Sequence, residues 1–102
     1  MGAGKDSLAK EQAEIHQVFS SSRRILIMWL LEAREMCVSD IADKIGASLQ
    51  NTSQHLRLMK DKGILDSRRE GQTIFYRIKD DVHGSNCRKM LHVINLTQEN
   101  RK

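Results

Sequence analysis

The sequence predicts a mainly α domain carrying one small β-hairpin, and three observations predict it. Apolar residues recur at helical spacing through two adjacent segments between Val38 and Lys62, the period shortens from 3.6 to 2 after Gly63, and apolar helical patterns flank this centre on both sides. A chain of 102 residues makes one domain of a size at which a second subunit often completes the burial, so a homodimer is expected before any motif is considered.

Residues 1–6 read as a solvated tail with Gly2 and Gly4, and the domain is expected over 7–98 with a second tail at 99–102. From Ser7 the pattern is helical. Leu8, Ile15, Val18 and Phe19 mark one face, Lys10, Glu11, Gln12 and Glu14 the solvated one, and Ser20, Ser21 and Ser22 end the helix. The next segment holds seven consecutive apolar residues, Ile25 to Leu31. Its flanks extend it to helical length with good helix formers, which predicts a core helix with Trp29 as its bulkiest packing residue.

Ser39 is a natural N-cap for a short helix bearing Ile41, Ala42 and Ile45, and Gly46 suits its left-handed C-terminal cap. Ser48 caps the following helix. Two helices joined this tightly over 38–62 are the sequence signature of a helix-turn-helix. In the second, Leu49, Thr52, Leu56 and Met59 fall at i, i+3, i+7 and i+10 and draw one apolar stripe. The remaining faces carry Gln50, Asn51, Ser53, Gln54, His55, Arg57 and Lys60, and no acid stands between Asp43 and Asp61. Amides, hydroxyls and cations without acids are the side chains that bond base edges and phosphates.

After Gly63, residues 64–78 read as two strands around a Glu70-Gly71-Gln72 turn, with Ile64, Leu65, Ile74, Tyr76 and Ile78 facing the helices. Arg68 and Arg69, with Gln72 at the tip, give this wing a basic end suited to a DNA backbone or minor groove. The last helix is expected over 80–97. Val82, Met90, Val93, Ile94 and Leu96 make it more apolar than an outer helix needs, so it and the first helix, 7–21, form the expected dimer interface.

Lys plus Arg number 17 against 13 Asp plus Glu, a net charge of +4, and the pI is near 9.3. That excess fits a localised nucleic-acid contact. No signal-peptide order begins the chain and the longest apolar run is too short to span a bilayer, so a cytoplasmic protein with reduced thiols is expected. A Gly-rich phosphate loop and framed carboxylate pairs are both missing, which argues against an enzyme.

The phrases SQHLRLMKDKGIL at Ser53 to Leu65 and REGQTIFYRI at Arg69 to Ile78, in that order and at that separation, resemble the ArsR/SmtB family of winged helix-turn-helix repressors. The resemblance extends from Ser20 to Ile78. It implies a fold of about five helices plus a two-stranded wing, a homodimer on an imperfect palindrome of double-stranded DNA, and release by an inducer. The family's Ser-x-His-Leu positions fall on Ser53, His55 and Leu56. Where the family often has Ser-Gln, this chain has Ser48-Leu49-Gln50. The expected DNA-contacting set is therefore Ser48, Gln50, Asn51, Ser53, Gln54, His55, Arg57, Lys60, Arg68, Arg69 and Gln72.

Glu35-Met36-Cys37-Val38-Ser39-Asp40-Ile41 resembles the family's metal-sensing phrase Glu-Leu-Cys-Val-Cys-Asp-Leu, with Ser39 in place of the second cysteine. Cys87 is the second thiol of the chain, and Asp81-x-His83 resembles the first half of the family's zinc site, whose second half would put a histidine where Ile94 stands. Three readings of these residues stand open: Cys37 and Cys87, with Asp81 and His83 near the second, hold a soft metal or metalloid ion; the two cysteines form a redox or reactive-sulfur switch; or both are inert core residues. A rival of another class is a winged-helix module that binds protein, which differs from a DNA reader by lacking a steep salt dependence.

Overall fold

The computed structural model describes residues 3–80 together with Lys89 and His92, both helical. Four helices and three strands lie among the described residues: α1 Ala3–Val18, α2 Ser22–Ala33, β1 Met36–Cys37, α3 Val38–Ile45, α4 Leu49–Asp61, β2 Leu65–Glu70 and β3 Thr73–Ile78. The terminal helix expected over 80–97, with Asp81, His83 and Cys87, falls outside the described residues except at its first residue and at 89 and 92.

Helix α1 begins at Ala3, four residues before the expected start at Ser7, with Asp6 in the first turn where its charge suits the helix dipole. The serine run that ends it also starts α2. Ser20 donates its hydroxyl to the Gln17 carbonyl at 2.6 Å, and Ser21, in extended conformation, accepts from the Arg24 N–H as the N-cap of α2.

Helix α2 corrects one expectation. Ile27, Met28 and Leu31 are its buried residues, whereas Trp29 is 37% exposed and Leu26 38%. A helix turns about 100° per residue, so an unbroken apolar run cannot all face one core, and Trp29 points away from the side that packs.

The wing is also more than a hairpin. Met36 and Cys37 pair antiparallel with Tyr76 and Phe75, making a three-stranded sheet in the order β1-β3-β2. The expected pair of strands thus gains a third, which a lone hairpin needs for stability. Its tip is a two-residue loop, since Glu70 pairs with Thr73. Gly71 takes a φ of 63° there, the left-handed value that such a loop demands at its first position.

Because Cys37 arrives extended from β1, it is itself the N-cap of α3 and lends no side-chain hydrogen bond. Ser39, expected as the cap, stands inside the first turn. At the other end Gly46 adopts φ 68° and donates its N–H to the carbonyls of Ala42 and Asp43, which turns the chain into Ser48. The Ser48 hydroxyl accepts the Asn51 N–H at 3.0 Å and caps α4 as expected.

The core gathers beneath these elements. Ile27, Met28 and Leu31 of α2 meet Ile41 of α3, Leu56 and Met59 of α4, and Leu65, Tyr76 and Ile78 of the sheet. Thr52, fully buried on the apolar stripe of α4, leaves its hydroxyl oxygen without a partner among the described residues. Leu49, assigned to that stripe by spacing, is the first residue of the helix and is 57% exposed. No helix among the described residues is long and apolar enough to cross a membrane.

Candidate nucleic-acid interface

The cap at Ser48 fixes where α4 starts, and its buried residues Thr52, Leu56 and Met59 fix which side turns outwards. Gln50, Gln54, Arg57 and Lys60 are exposed, while Asn51, Ser53 and His55 are half-buried at the edges of that face. Ser48 is exposed, but its oxygen is already engaged as the cap.

Two of the edge residues are held by α2. Arg23 donates to Asn51 Oδ1 at 2.6 Å, which occupies one of that oxygen's two lone pairs and leaves the amide N–H group free to donate to a base. Arg24 makes four contacts: its Nε donates to the Val18 carbonyl at 3.1 Å, its Nη2 to the Gln17 carbonyl at 3.0 Å and to the Ser20 hydroxyl at 3.3 Å, and its Nη1 lies within 3.4 Å of His55 Nδ1. An arginine can only donate. The ring must therefore accept at Nδ1 and carry its proton on Nε2. Burial, and then the charges of Arg24 and Arg23, hold the His55 pKa below its ordinary 6.5, so the imidazole is neutral at pH 7.

In the wing, Arg68 is committed. Its Nε and Nη2 both donate to Glu35 Oε1, at 2.9 and 2.7 Å, its Nη1 donates to Glu70 Oε2 at 3.2 Å, and its guanidinium lies 4.5 Å from the centre of the Phe75 ring. The hydrogen bond from Arg68 in turn keeps the Glu35 carboxyl below its usual range. Two carboxylates offset the single cation, so Arg68 brings no net positive charge to the wing. Arg69 is exposed and has no side-chain partner among the described residues, and Gln72 is exposed at the tip. The free cation of the strand is Arg69.

Between these parts runs a cleft of about 270 Å³ lined by Cys37, Val38, Ser39, Leu49, Ser53, Gln72, Thr73 and Ile74. It joins the starts of α3 and α4 to the wing tip. Cys37 is a free, half-buried thiol, with its Sγ 3.4 Å from the Ser39 hydroxyl. Among the described residues no three His, Cys, Asp or Glu side chains are grouped to hold a metal ion. Asp81, His83 and Cys87, the other expected ligands, lie outside the described residues.

Sequence reasoning missed Arg23, Arg24, Glu35 and Leu49. The arginines sit 28 and 31 residues from their partners, beyond any local pattern. Leu49 was legible only as the first residue of the apolar stripe, and spacing does not show that its side chain is left 57% exposed.

Residues 21–67 match the family described as bacterial regulatory protein, arsR family. The cadmium resistance transcriptional regulatory protein CadC homolog of Staphylococcus aureus is 35% identical over 82 residues, which are 76% of this chain and 68% of that protein. The chain belongs to the arsR family of bacterial regulatory proteins. This ArsR-family chain is also 31% identical over 83 residues to the HTH-type transcriptional regulator KmtR of Mycobacterium tuberculosis, covering 78% of its own length and 64% of that regulator's. Its fold matches the homodimeric winged helix-turn-helix DNA-binding domain of Mb0332 from Mycobacterium bovis, with a TM-score of 0.82, 26% identity, and coverage of 99% of this chain and 90% of that one. The ArsR-family fold and relatives are those of DNA-binding transcriptional regulators, not of enzymes.

Proposed function

We propose that the protein is a sequence-specific transcriptional repressor that binds an imperfect palindrome as a homodimer and is released by a soft metal or metalloid ion at Cys37. The observation that carries the DNA-binding part is the outward face of α4, where Gln50, Gln54, Arg57 and Lys60 are exposed with no acid among them, beside a wing that offers Arg69. A helix of 13 residues is roughly 20 Å long, enough to lie in one major groove. Two such helices related by a dyad reach successive grooves about 34 Å apart.

The dimer is supported by the exposure of the apolar side chains Leu8, Leu26 and Trp29, at 62%, 38% and 37%, and by the homodimeric state of the Mb0332 domain. The inducer is supported by the accessible thiol of Cys37 at the head of α3 and by the cadmium-resistance role in the name of the CadC homolog. Soft ions prefer sulfur. A second thiol, Cys87, completes the donor set in this reading.

Fluorescence anisotropy on the DNA upstream of its own gene tests both parts. Binding should weaken steeply with salt, and cadmium or arsenite should release the wild type but not Cys37→Ser or Cys87→Ser. Release by a polysulfide or a thiol oxidant in place of metal would reassign the same cysteines to a redox switch. Binding indifferent to salt would point to a protein partner and end the repressor reading.

A further inference from the structure

The exposed side chain of Leu49 has no place in a face built to bond phosphates and base edges. It is the first residue of α4 and 57% exposed, flanked by the cap Ser48 and by Gln50, and it closes one side of the cleft shared with Val38 and Ile74. The residues that open a recognition helix are those that meet base edges. A leucine there can form no hydrogen bond, and pressing it against a base N–H or carbonyl would strip water from that group without replacing it. The major groove displays one apolar group, the C5-methyl of thymine.

We propose that Leu49 is a specificity-determining residue that reads a thymine methyl in each half-site. The inference rests on the DNA-binding reading above and deepens it. Val38 and Ile74 line the same cleft as the leucine, so the surface beside it is apolar as well. Ser53, one helical turn on along α4 and in the same cleft, supplies the neighbouring polar contact. The resulting preference is for thymine over cytosine at one position, through shape and burial alone.

The test uses a duplex enriched by the full-length wild type from a randomised pool, with each thymine replaced in turn by deoxyuridine, which pairs identically but lacks the methyl. At one thymine per half-site the wild type should lose about fourfold in affinity, the worth of one buried methyl, and about fifteenfold when both half-sites are changed. Leu49→Ala should bind the original and the deoxyuridine duplex alike at those positions, while Leu49→Met, which keeps an apolar side chain, should retain the preference. Replacing that thymine by 5-methylcytosine should cost the wild type less than replacing it by cytosine. An enriched duplex whose thymines are all indifferent to the methyl, or a Leu49→Ala variant as sensitive as wild type, overturns this inference alone. A pool that yields no salt-sensitive duplex overturns the DNA-binding reading and this inference together.

Discussion

Arg24 and His55 are 31 residues apart in the chain, yet the arginine's Nη1 lies 3.4 Å from the ring's Nδ1. The contact ties the first turn of α2 to the middle of α4, and it selects the tautomer with the proton on Nε2. The same guanidinium also binds the last carbonyls of α1. One side chain therefore joins three helices.

That contact sets a pH dependence. The folded-state pKa of His55 is depressed by burial and by the two arginines, so the unfolded chain takes up a proton that the folded chain resists. The associated stability is fully present above the ordinary 6.5 and is lost as pH falls through the lower folded value. Urea midpoints should drop over about two pH units, from about pH 7.5 to about 5.5, and His55→Gln should show a smaller drop. An equal drop in both proteins would refute the assignment.

Thr52 offers a gain. Its hydroxyl is buried with no partner among the described residues, so Thr52→Val removes a desolvated polar group while keeping the branched shape. Stability should rise by about 1 kcal/mol, measured by chemical denaturation. A loss of that size would mean that the hydroxyl is bonded in solution.

Gly46 is a backbone requirement and nothing more. A Cβ at that position meets no atom within 4 Å, so Gly46→Ala carries only the left-handed penalty, roughly 1 kcal/mol. Thermal unfolding should fall by about 4–8 °C. Gly46→Asn should lose less, since asparagine tolerates that conformation.

The two wing arginines should separate in salt titrations. Arg69→Ala is expected to shallow the slope of log K against log salt by about 0.9 per protomer, because its charge is free to meet a phosphate. Arg68→Ala should leave the slope nearly unchanged and instead increase hydrogen exchange in β2 and β3, since Glu35, Glu70 and Phe75 lose their shared partner. Equal slope changes would show that DNA draws Arg68 away from Glu35.

The parts legible in the sequence were those governed by local chemistry. Ser48, Gly46 and the turn at Gly71 act within a few residues, and the Thr52, Leu56 and Met59 stripe follows from helical period alone. Strand β1 escaped because two residues have no periodicity, and its existence depends on Phe75 and Tyr76, about forty positions away. That strand also moved the cap of α3 from Ser39 to Cys37. Trp29 and Leu49 were misplaced for one reason: an apolar residue in a periodic pattern is buried only if another element reaches it, and period says nothing about where the neighbours end. The polar face of α4 was readable as a set, whereas the engagement of Asn51, His55 and Arg68 by distant partners was not.

The strand order has a consequence for how this chain behaves in a crowded solution. Placing β3 in the middle leaves β2 as an edge of the sheet among the described residues, with backbone groups open to extension by another strand. That edge reads Leu65-Asp66-Ser67-Arg68-Arg69-Glu70, and Asp66 is further tied to Arg77 across the pair. A neighbour's strand docking there would have to bury charges of both signs, a known deterrent to edge-to-edge association. The charges that border the wing thus also keep it from becoming a seed for aggregation.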